Sequence, residues 1–473
     1  MPEARKKVII IGGGITGLST AYFLQEKSKE MDRPVELILI EGEKRFGGKI
    51  LTERIDDFII EGGPDSFITQ KPGGLDLCRR LGLTGQLVQT HPVEKAVYIL
   101  SNGKLVPLPE GFNLMIPGRL TPFLFTPLVS PFGKVRMGLD LVIPRKDSSE
   151  DESIASFVRR RLGAEAVQQF AEPILAGIFA GDAEKLSLEA TFPQFAALER
   201  SRGSLIWGMW MKRGNAGRKG RARPEWTLFV TLRDGLSSLV TLLREKLEGV
   251  SLVSDQKVTG VVPRKGGYDV SLETGRASAD AVVITTNTFT AAGWIEGWDL
   301  SLSKLLREIE YVSTATVSLG FRKEDITHPL NGFGFVVPRR EGRRIIASTW
   351  SSTKFSGRAP AGHVLLRAFL GGAHHGDLVE QDDAALISLV QEELQSILGI
   401  KAGPVVAKAF RWIKANPQYH VGHLNRVAEI EKGAQRHPGL FLAGAAYRGV
   451  GIPDCIRQGM ETAEKIFQWC SDP

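Results

Sequence analysis

The 473-residue chain holds only three cysteines, Cys78, Cys455 and Cys470, and no C-x-x-C pair. That scarcity argues against a disulfide-stapled scaffold and a dithiol redox centre, and it fits a reducing compartment, the cytoplasm. The eight histidines include His374, His375, His420 and His423 but show no H-E-x-x-H or comparable ligand spacing, so no metal site is expected. No apolar run approaches the roughly 20 residues needed to cross a bilayer. The apolar start, Val8 to Ile11, is too short for a signal segment. Neither sign of charge dominates: 60 Lys and Arg against 53 Asp and Glu leave a net +7, with a pI near 9.2. This balance permits an anionic partner without requiring one. The densest basic stretch, Lys212 to Arg223, has no aromatic side chain on which bases could stack. It reads as a solvated loop, and no nucleic-acid partner is expected. What is present describes a soluble globular protein of two or three domains: 42% hydrophobic, 24% charged, mean hydropathy −0.06.

The most informative stretch is Lys7 to Ala21, where the β-branched run Val8-Ile9-Ile10-Ile11 stops at a glycine cluster and a helix-compatible segment begins. Gly12, Gly14 and Gly17 stand at the G-x-G-x-x-G spacing of a dinucleotide-binding fold. Gly12 suits the tight turn, Gly14 a close backbone approach to a pyrophosphate, and Gly17 the packing of helix on sheet. The amides that open the helix then face the phosphate charge. A second buried-strand run, Val35 to Ile40, ends at Glu41, at about the separation expected of a ribose-binding carboxylate. Arg45-Phe46-Gly47-Gly48-Lys49 follows where a nicotinamide domain would start a new crossover. Then Phe58-Ile59-Ile60 runs into Glu61-Gly62-Gly63-Pro64-Asp65-Ser66. Two glycine turns able to lie against a longer cofactor point to a flavin, with Arg45 and Lys49 near its phosphates.

Farther along, residues 72–87 suggest a short helix. From Leu105 to Ile143 prolines punctuate large apolar residues such as Phe112, Phe123 and Phe125. An irregular core segment is the preferred account; a greasy surface touching membrane or passing a lipophilic substrate is the other. A helical region spans Ser153 to Phe170. Runs at 312–319, 333–337, 345–350 and 364–370 suggest an antiparallel β platform, with a helix over 382–398 packed against it. Strand–glycine–helix order returns at Leu440 to Gly444 and Gly449-Val450-Gly451-Ile452-Pro453.

With these residues in hand, the chain resembles the FAD-dependent porphyrinogen oxidases of haem synthesis, within the superfamily of monoamine oxidases and carotenoid desaturases. The superfamily resemblance rests on Gly12-x-Gly14-x-x-Gly17, Glu41, Arg45-x-Gly47-Gly48 and the C-terminal glycine turn. The narrower one rests on Gly63 to Phe67, Glu172-Pro173 through Gly181-Asp182, Leu186-Ser187, Phe192-Pro193, Pro417-Gln418-Tyr419 and Gly449 to Asp454. It looks most like the monoderm bacterial form, whose product is coproporphyrin III.

The resemblance implies an α/β fold: a Rossmann-like FAD-binding domain with an inserted antiparallel β substrate domain and a helical domain. Residues 1–75, 233–295 and 426–473 would form the FAD-binding domain, and 76–95, 206–232 and 296–425 the substrate domain. Residues 96–205 would form the helical, membrane-contacting domain. It further implies that Gly12, Gly13, Gly14, Ile15, Thr16 and Gly17 hold the FAD pyrophosphate and that Glu41, with Gly42, meets the ribose. Arg45, Gly48, Lys49, Gly63, Pro64, Asp65 and Ser66 would line the cofactor. Val258 would meet the adenine, and Trp412, Gly444, Val450, Gly451, Ile452 and Pro453 would complete the site. Where the superfamily often has Gly-Asp, this chain has Gly444-Ala445-Ala446, so the ribityl hydroxyls need another partner. No cysteine stands where monoamine oxidases tether flavin, so FAD would be non-covalent. The implied reaction removes six hydrogens from a porphyrinogen in two-electron steps, with hydride passing to flavin N5 and O2 yielding H2O2. Lys71 would answer a propionate and Ile178 would wall the tetrapyrrole; no catalytic base is assigned. Protoporphyrinogen oxidase, an amine oxidase or polyene desaturase on this scaffold, and a tetrapyrrole carrier are the alternatives. Ferrochelatase or another haem-pathway enzyme is the expected partner, and peripheral membrane contact accompanies the cytoplasmic location.

Overall fold

A computed structural model describes residues 5–92, 96–148, 150–218 and 225–471, without the side chains of Asn113 and residues 212–218. Main chain 212–218 continues helix Leu205–Arg218 rather than the loop expected of the basic run Lys212 to Arg223; residues 219–223 and the run's side chains lie outside the described residues. The first strand, Lys7–Ile11, sits at the centre of a five-stranded parallel sheet. Its order is Ser251–Val253, Glu36–Ile40, Lys7–Ile11, Ala281–Ile284 and Leu440–Leu442. Val8, Ile9 and Ile10 are fully buried. Both faces of a parallel sheet are covered, which is why its strands are unbroken apolar runs rather than alternating ones. Helices Ile15–Glu30 and Ile452–Ser471 pack together on one face, where a Cβ on Gly459 would stand 2.8 Å from that of Ser19. An antiparallel meander, Val258–Arg264, Gly267–Leu272 and Gly275–Ala279, packs Val261, Tyr268 and Val270 on the other.

A seven-stranded sheet forms the second layer system, in the order Val406–Pro417, Tyr311–Arg322, His363–Gly371, Ala347–Trp350, Gly334–Val336, Val97–Ser101 and Lys104–Pro107. It departs from a purely antiparallel platform at one junction: Gly334–Val336 runs parallel to Val97–Ser101. The chain can pair these strands in parallel because more than 200 residues separate them, ample for a crossover. One face packs on helix Asp383–Leu398 through Leu386, Leu389, Val390 and Leu394. The other carries Thr314, Thr316, Arg367, Phe369, Phe410 and Trp412, placed on one side by register.

The helical part has its own core around Phe157, Phe170 and Leu175. The expected helix over 153–170 is broken into Ile154–Leu162, Ala164–Ala166 and a π-helical turn, Val167–Ala171, that leads into Glu172–Phe179. Gly163, at φ 95°, ends the first piece. The Leu105 to Ile143 stretch is only in part the irregular core segment expected. Met115, Ile116, Phe123, Leu128, Val129 and Met137 are buried, whereas Phe125 is 83% and Phe132 88% exposed, as are Val135 and Val142 in large part. Short helices put alternate residues on opposite sides, so composition alone could not divide them. Among the described residues no helix is long and apolar enough to cross a membrane.

Candidate functional site

The site begins where strand Lys7–Ile11 meets helix Ile15–Glu30. Three glycines there face three different surroundings. A Cβ on Gly17 would lie 2.0 Å from the Gly12 carbonyl oxygen, and one on Gly13 2.4 Å from the Phe46 ring. A Cβ on Gly14 would meet nothing within 4 Å. Gly17 and Gly13 are therefore closed by protein, while Gly14 borders open space. The helix opens at that point with no side-chain cap, so its first amides, from Ile15, Thr16 and Gly17, are available to an anion. Gly12 adopts φ 108° and is held by its amide on the Ile40 carbonyl (2.8 Å).

Glu41, at the end of strand Glu36–Ile40, accepts from the amides of Gly13 (2.7 Å) and Glu43 (2.9 Å). Its carboxylate is thus oriented by the glycine turn itself and retains lone pairs for a diol. The segment Asp255 to Val258 runs alongside, with Gln256 N on Glu41 O at 3.1 Å and Lys257 against Gly42. Glu41, Gly42 and Val258 consequently gather at one end of the cleft.

At the other end, the turn Phe46 to Ile50 faces Gly62 to Ser66. Arg45 is spent on its own turn, donating to the carbonyls of Gly48 (2.5 Å) and Ile50 (3.1 Å), rather than reaching into the cleft. Lys49 is half-buried and donates to the Ala415 carbonyl; desolvation lowers its pKa to about 8. Gly63 is obligatory, because a Cβ would fall 1.8 Å from the Lys49 carbonyl oxygen. The Gly62 carbonyl accepts from Thr316 Oγ1 and from Trp412 Nε1, both at 2.9 Å. Gly63 accepts from buried Arg367, whose Nε has no partner among the described residues. Burial alone would raise the Asp65 carboxyl, but Lys354, at 3.0 Å, and Arg367 hold it down at about 2.

The loop between Leu440–Leu442 and Ile452–Ser471 closes this end. Gly444 and Gly449 adopt φ 137° and 119°, and a Cβ on Gly449 would strike the Asp454 carboxyl at 2.4 Å. Lys71 pairs with that carboxylate, Nζ to Oδ2 2.6 Å, with its side chain half exposed. It therefore stands beside Gly449 to Pro453 but is not a free cation. Ile178 is 50% exposed on helix Glu172–Phe179, whose Gly177 lies over Val336 and Ala347 of the seven-stranded sheet.

Residues with no functional assignment from the sequence are also present: Arg367, Lys354, Glu61 and the pair Tyr419 and His423. A signal for Arg367 existed, a lone charge within the apolar strand run Val364 to Leu370. These features fit a flavin dinucleotide. The gap before Gly14 and the uncapped helix suit a pyrophosphate, and, among the described residues, the unpartnered buried Nε of Arg367 and the part-buried Lys49 ammonium, with one acceptor, leave donors for a polar ring edge.

The chain is 38% identical to a coproporphyrinogen III oxidase of Bacillus subtilis over 461 residues, 97% of each chain. It is 35% identical to the Staphylococcus aureus coproporphyrinogen III oxidase, spanning 98% of this chain and 99% of that one. A chloroplastic protoporphyrinogen oxidase 1 of Arabidopsis thaliana is 32% identical over 98% of this chain and 88% of its own length. A solved Exiguobacterium structure, provisionally named a protoporphyrinogen oxidase, superposes with a TM-score of 0.87 at 33% identity over 98% of both chains. A putrescine oxidase structure at 15% identity and TM-score 0.68 shows the shared fold alone. Residues 15–467 match the model of flavin-containing amine oxidoreductases, and the chain belongs to that family of flavin-dependent enzymes.

Proposed function

We propose that the protein oxidises coproporphyrinogen III to coproporphyrin III, with FAD held non-covalently and O2 as the final acceptor, releasing H2O2. The observation that carries this reading is 35–38% identity over nearly the full length to coproporphyrinogen III oxidases, joined to a glycine turn that is open at Gly14. When bound, the flavin supplies the two-electron chemistry, taken three times for the six hydrogens lost. The chain's own residues bind and orient. Gly12 to Gly17 and the uncapped helix would hold the pyrophosphate, Glu41 the ribose, and Val258 the adenine side. Lys49, Gly48, Gly63 to Ser66 and Trp412 would line the ring, with Gly444 and Val450 to Pro453 opposite. Arg45 would act indirectly, by holding the turn that carries Gly48 and Lys49. Ile178 would give the tetrapyrrole an apolar wall. Lys71, tied to Asp454 yet half exposed, has protons left for a propionate. Aromatisation drives the reaction, so no side chain is assigned as a base.

Four propionates on coproporphyrinogen, against two on protoporphyrinogen, suit a chain of net charge +7. Turnover of the two porphyrinogens in air-saturated buffer, followed by porphyrin emission, tests the choice. Faster oxidation of coproporphyrinogen is expected; a strong preference for protoporphyrinogen overturns it, and activity on amines alone overturns the whole reading. Cytoplasmic location, handover to a ferrochelatase-type enzyme and peripheral membrane contact belong to the same proposal. Phe125 and Phe132, exposed at 83% and 88%, support the membrane contact. Co-sedimentation with anionic vesicles that persists unchanged in a Phe125→Ser, Phe132→Ser double variant counts against it.

A further inference from the structure

The turn from Pro417 to Gly422 joins the seven-stranded sheet to helix His423–Gln435, and its side chains reach in two directions. Tyr419, only 3% exposed, donates its hydroxyl proton to the Ala445 carbonyl (2.5 Å) and accepts from the Gly449 amide (2.8 Å). One phenol thereby spans both limbs of the loop that precedes helix Ile452–Ser471. His423 lies flat on the Tyr419 ring, centroids 3.9 Å apart and planes 13° apart, and its Nε2 donates to the Tyr447 carbonyl at 2.9 Å. Burial pushes the His423 pKa down to about 4, so the imidazole stays neutral and Nε2 keeps its proton. The neighbouring side chain, Gln418, is likewise buried. Its Nε2 donates to the carbonyl of Phe179 (3.1 Å), the last residue of the helix that carries Ile178. The main chain continues the tie, Ser187 N to Tyr419 O at 2.7 Å and Val421 N to Lys185 O at 2.9 Å.

Resting on the assignment of the 444–453 loop to flavin and of Ile178 to substrate, we propose that Gln418 and Tyr419 are positioning residues. Together they form one strut, two residues long, that sets the distance between the substrate-side helix and the flavin-side loop. Neither touches the reacting atoms. Adjacent residues of an extended chain are about 3.8 Å apart between Cα atoms and cannot stretch, so a shift of the helix end is passed to the loop rather than absorbed. Hydrogen transfer is sensitive to this gap, because a displacement of about 1 Å costs on the order of a hundredfold in rate.

Tyr419→Phe keeps the ring stack and removes both loop bonds, whereas Gln418→Leu leaves those in place and removes the grip on Phe179, together with a bond to the Asn416 carbonyl (3.2 Å) within its own segment. The expected result for Tyr419→Phe is FAD affinity weakened about tenfold, and bleaching of the flavin by coproporphyrinogen under anaerobic conditions slowed about tenfold. Gln418→Leu is expected to hold FAD affinity within about twofold yet slow bleaching comparably, and the double variant should be little slower than the slower single one. Melting of the FAD-free proteins checks that both variants fold. Should Tyr419→Phe not fold, Gln418→Leu carries the test, and bleaching unchanged in it overturns the strut. Bleaching and FAD affinity unchanged in Tyr419→Phe, or single-variant factors that simply multiply, overturn the strut. If the wild type binds FAD but the porphyrinogen does not bleach it, the substrate assignment fails by itself. The strut is then judged on visible circular dichroism of bound flavin, which both substitutions shift if the ends are tied; a shift from Tyr419→Phe alone overturns it.

Discussion

Glu61 is a carboxyl almost wholly removed from water, accepting from Thr52 Oγ1 (2.7 Å) and the Leu236 amide (2.8 Å). Desolvation outweighs these bonds and the pull of Arg358 and Arg367, raising its pKa from 4.5 to about 7. The folded state therefore binds this proton more tightly than the unfolded chain. The stabilising contribution is complete below pH 4.5 and is lost as pH rises through about 7. The full swing is about 3 kcal/mol. Glu61→Gln should flatten that dependence, raising the urea midpoint relative to wild type at pH 8 and scarcely at pH 4.5. Lys49 has the opposite charge and a lowered pKa of about 8. A protonated ammonium is the stronger donor to a polar ring edge, so FAD affinity should be flat below pH 8 and fall as pH rises above it, by at most about tenfold per pH unit. Lys49→Met should remove that slope in a fluorescence titration.

At the scale of elements, the glycine turn separates folding from binding. Gly14 has an ordinary extended backbone, φ −70° and ψ 177°, and open space where a side chain would go. Gly14→Ala is expected to leave FAD-free stability within about 0.5 kcal/mol while lowering FAD affinity at least about tenfold by filling the approach to the pyrophosphate. Gly17→Ala drives a Cβ into the Gly12 carbonyl and should destabilise the FAD-free protein itself, read as a lower melting temperature. In the helical part, Arg161 and Asp140 form a fully buried pair at 2.6 Å, with Asp140 also taking Ser204 Oγ (2.6 Å) and the Ile206 amide (2.9 Å). Arg161→Met strands that carboxylate and should cost about 3–5 kcal/mol in urea unfolding. Arg159→Ala, which breaks an exposed pair with Glu184, should cost less than about 1 kcal/mol.

Across the whole molecule, the central sheet is assembled from strands near residues 7, 36, 251, 281 and 440, with the seven-stranded sheet inserted between returns. A cofactor lying across the glycine turn, the Gly62 to Ser66 loop and the C-terminal loop would bridge all of these returns. FAD should therefore raise the melting temperature in a concentration-dependent way. The stabilisation should be about 2.7 kcal/mol at a hundred times its dissociation constant, checked by calorimetry across an FAD series.

The sequence by itself determined the central strand and the glycine turn into the first helix. A buried parallel strand is a contiguous apolar run, and a pyrophosphate turn is a glycine spacing, so both are written within some fifteen neighbouring residues. Only the tertiary structure decided what each charge touches. Arg45 turned back on its own loop, Lys71 met Asp454 383 residues away, and Arg367 met Gly63 at a separation of 304. The same holds for Phe125 and Phe132, left outside while Phe123 went in. Such pairings and exposures depend on how distant segments are brought together, and no local pattern carries that distance.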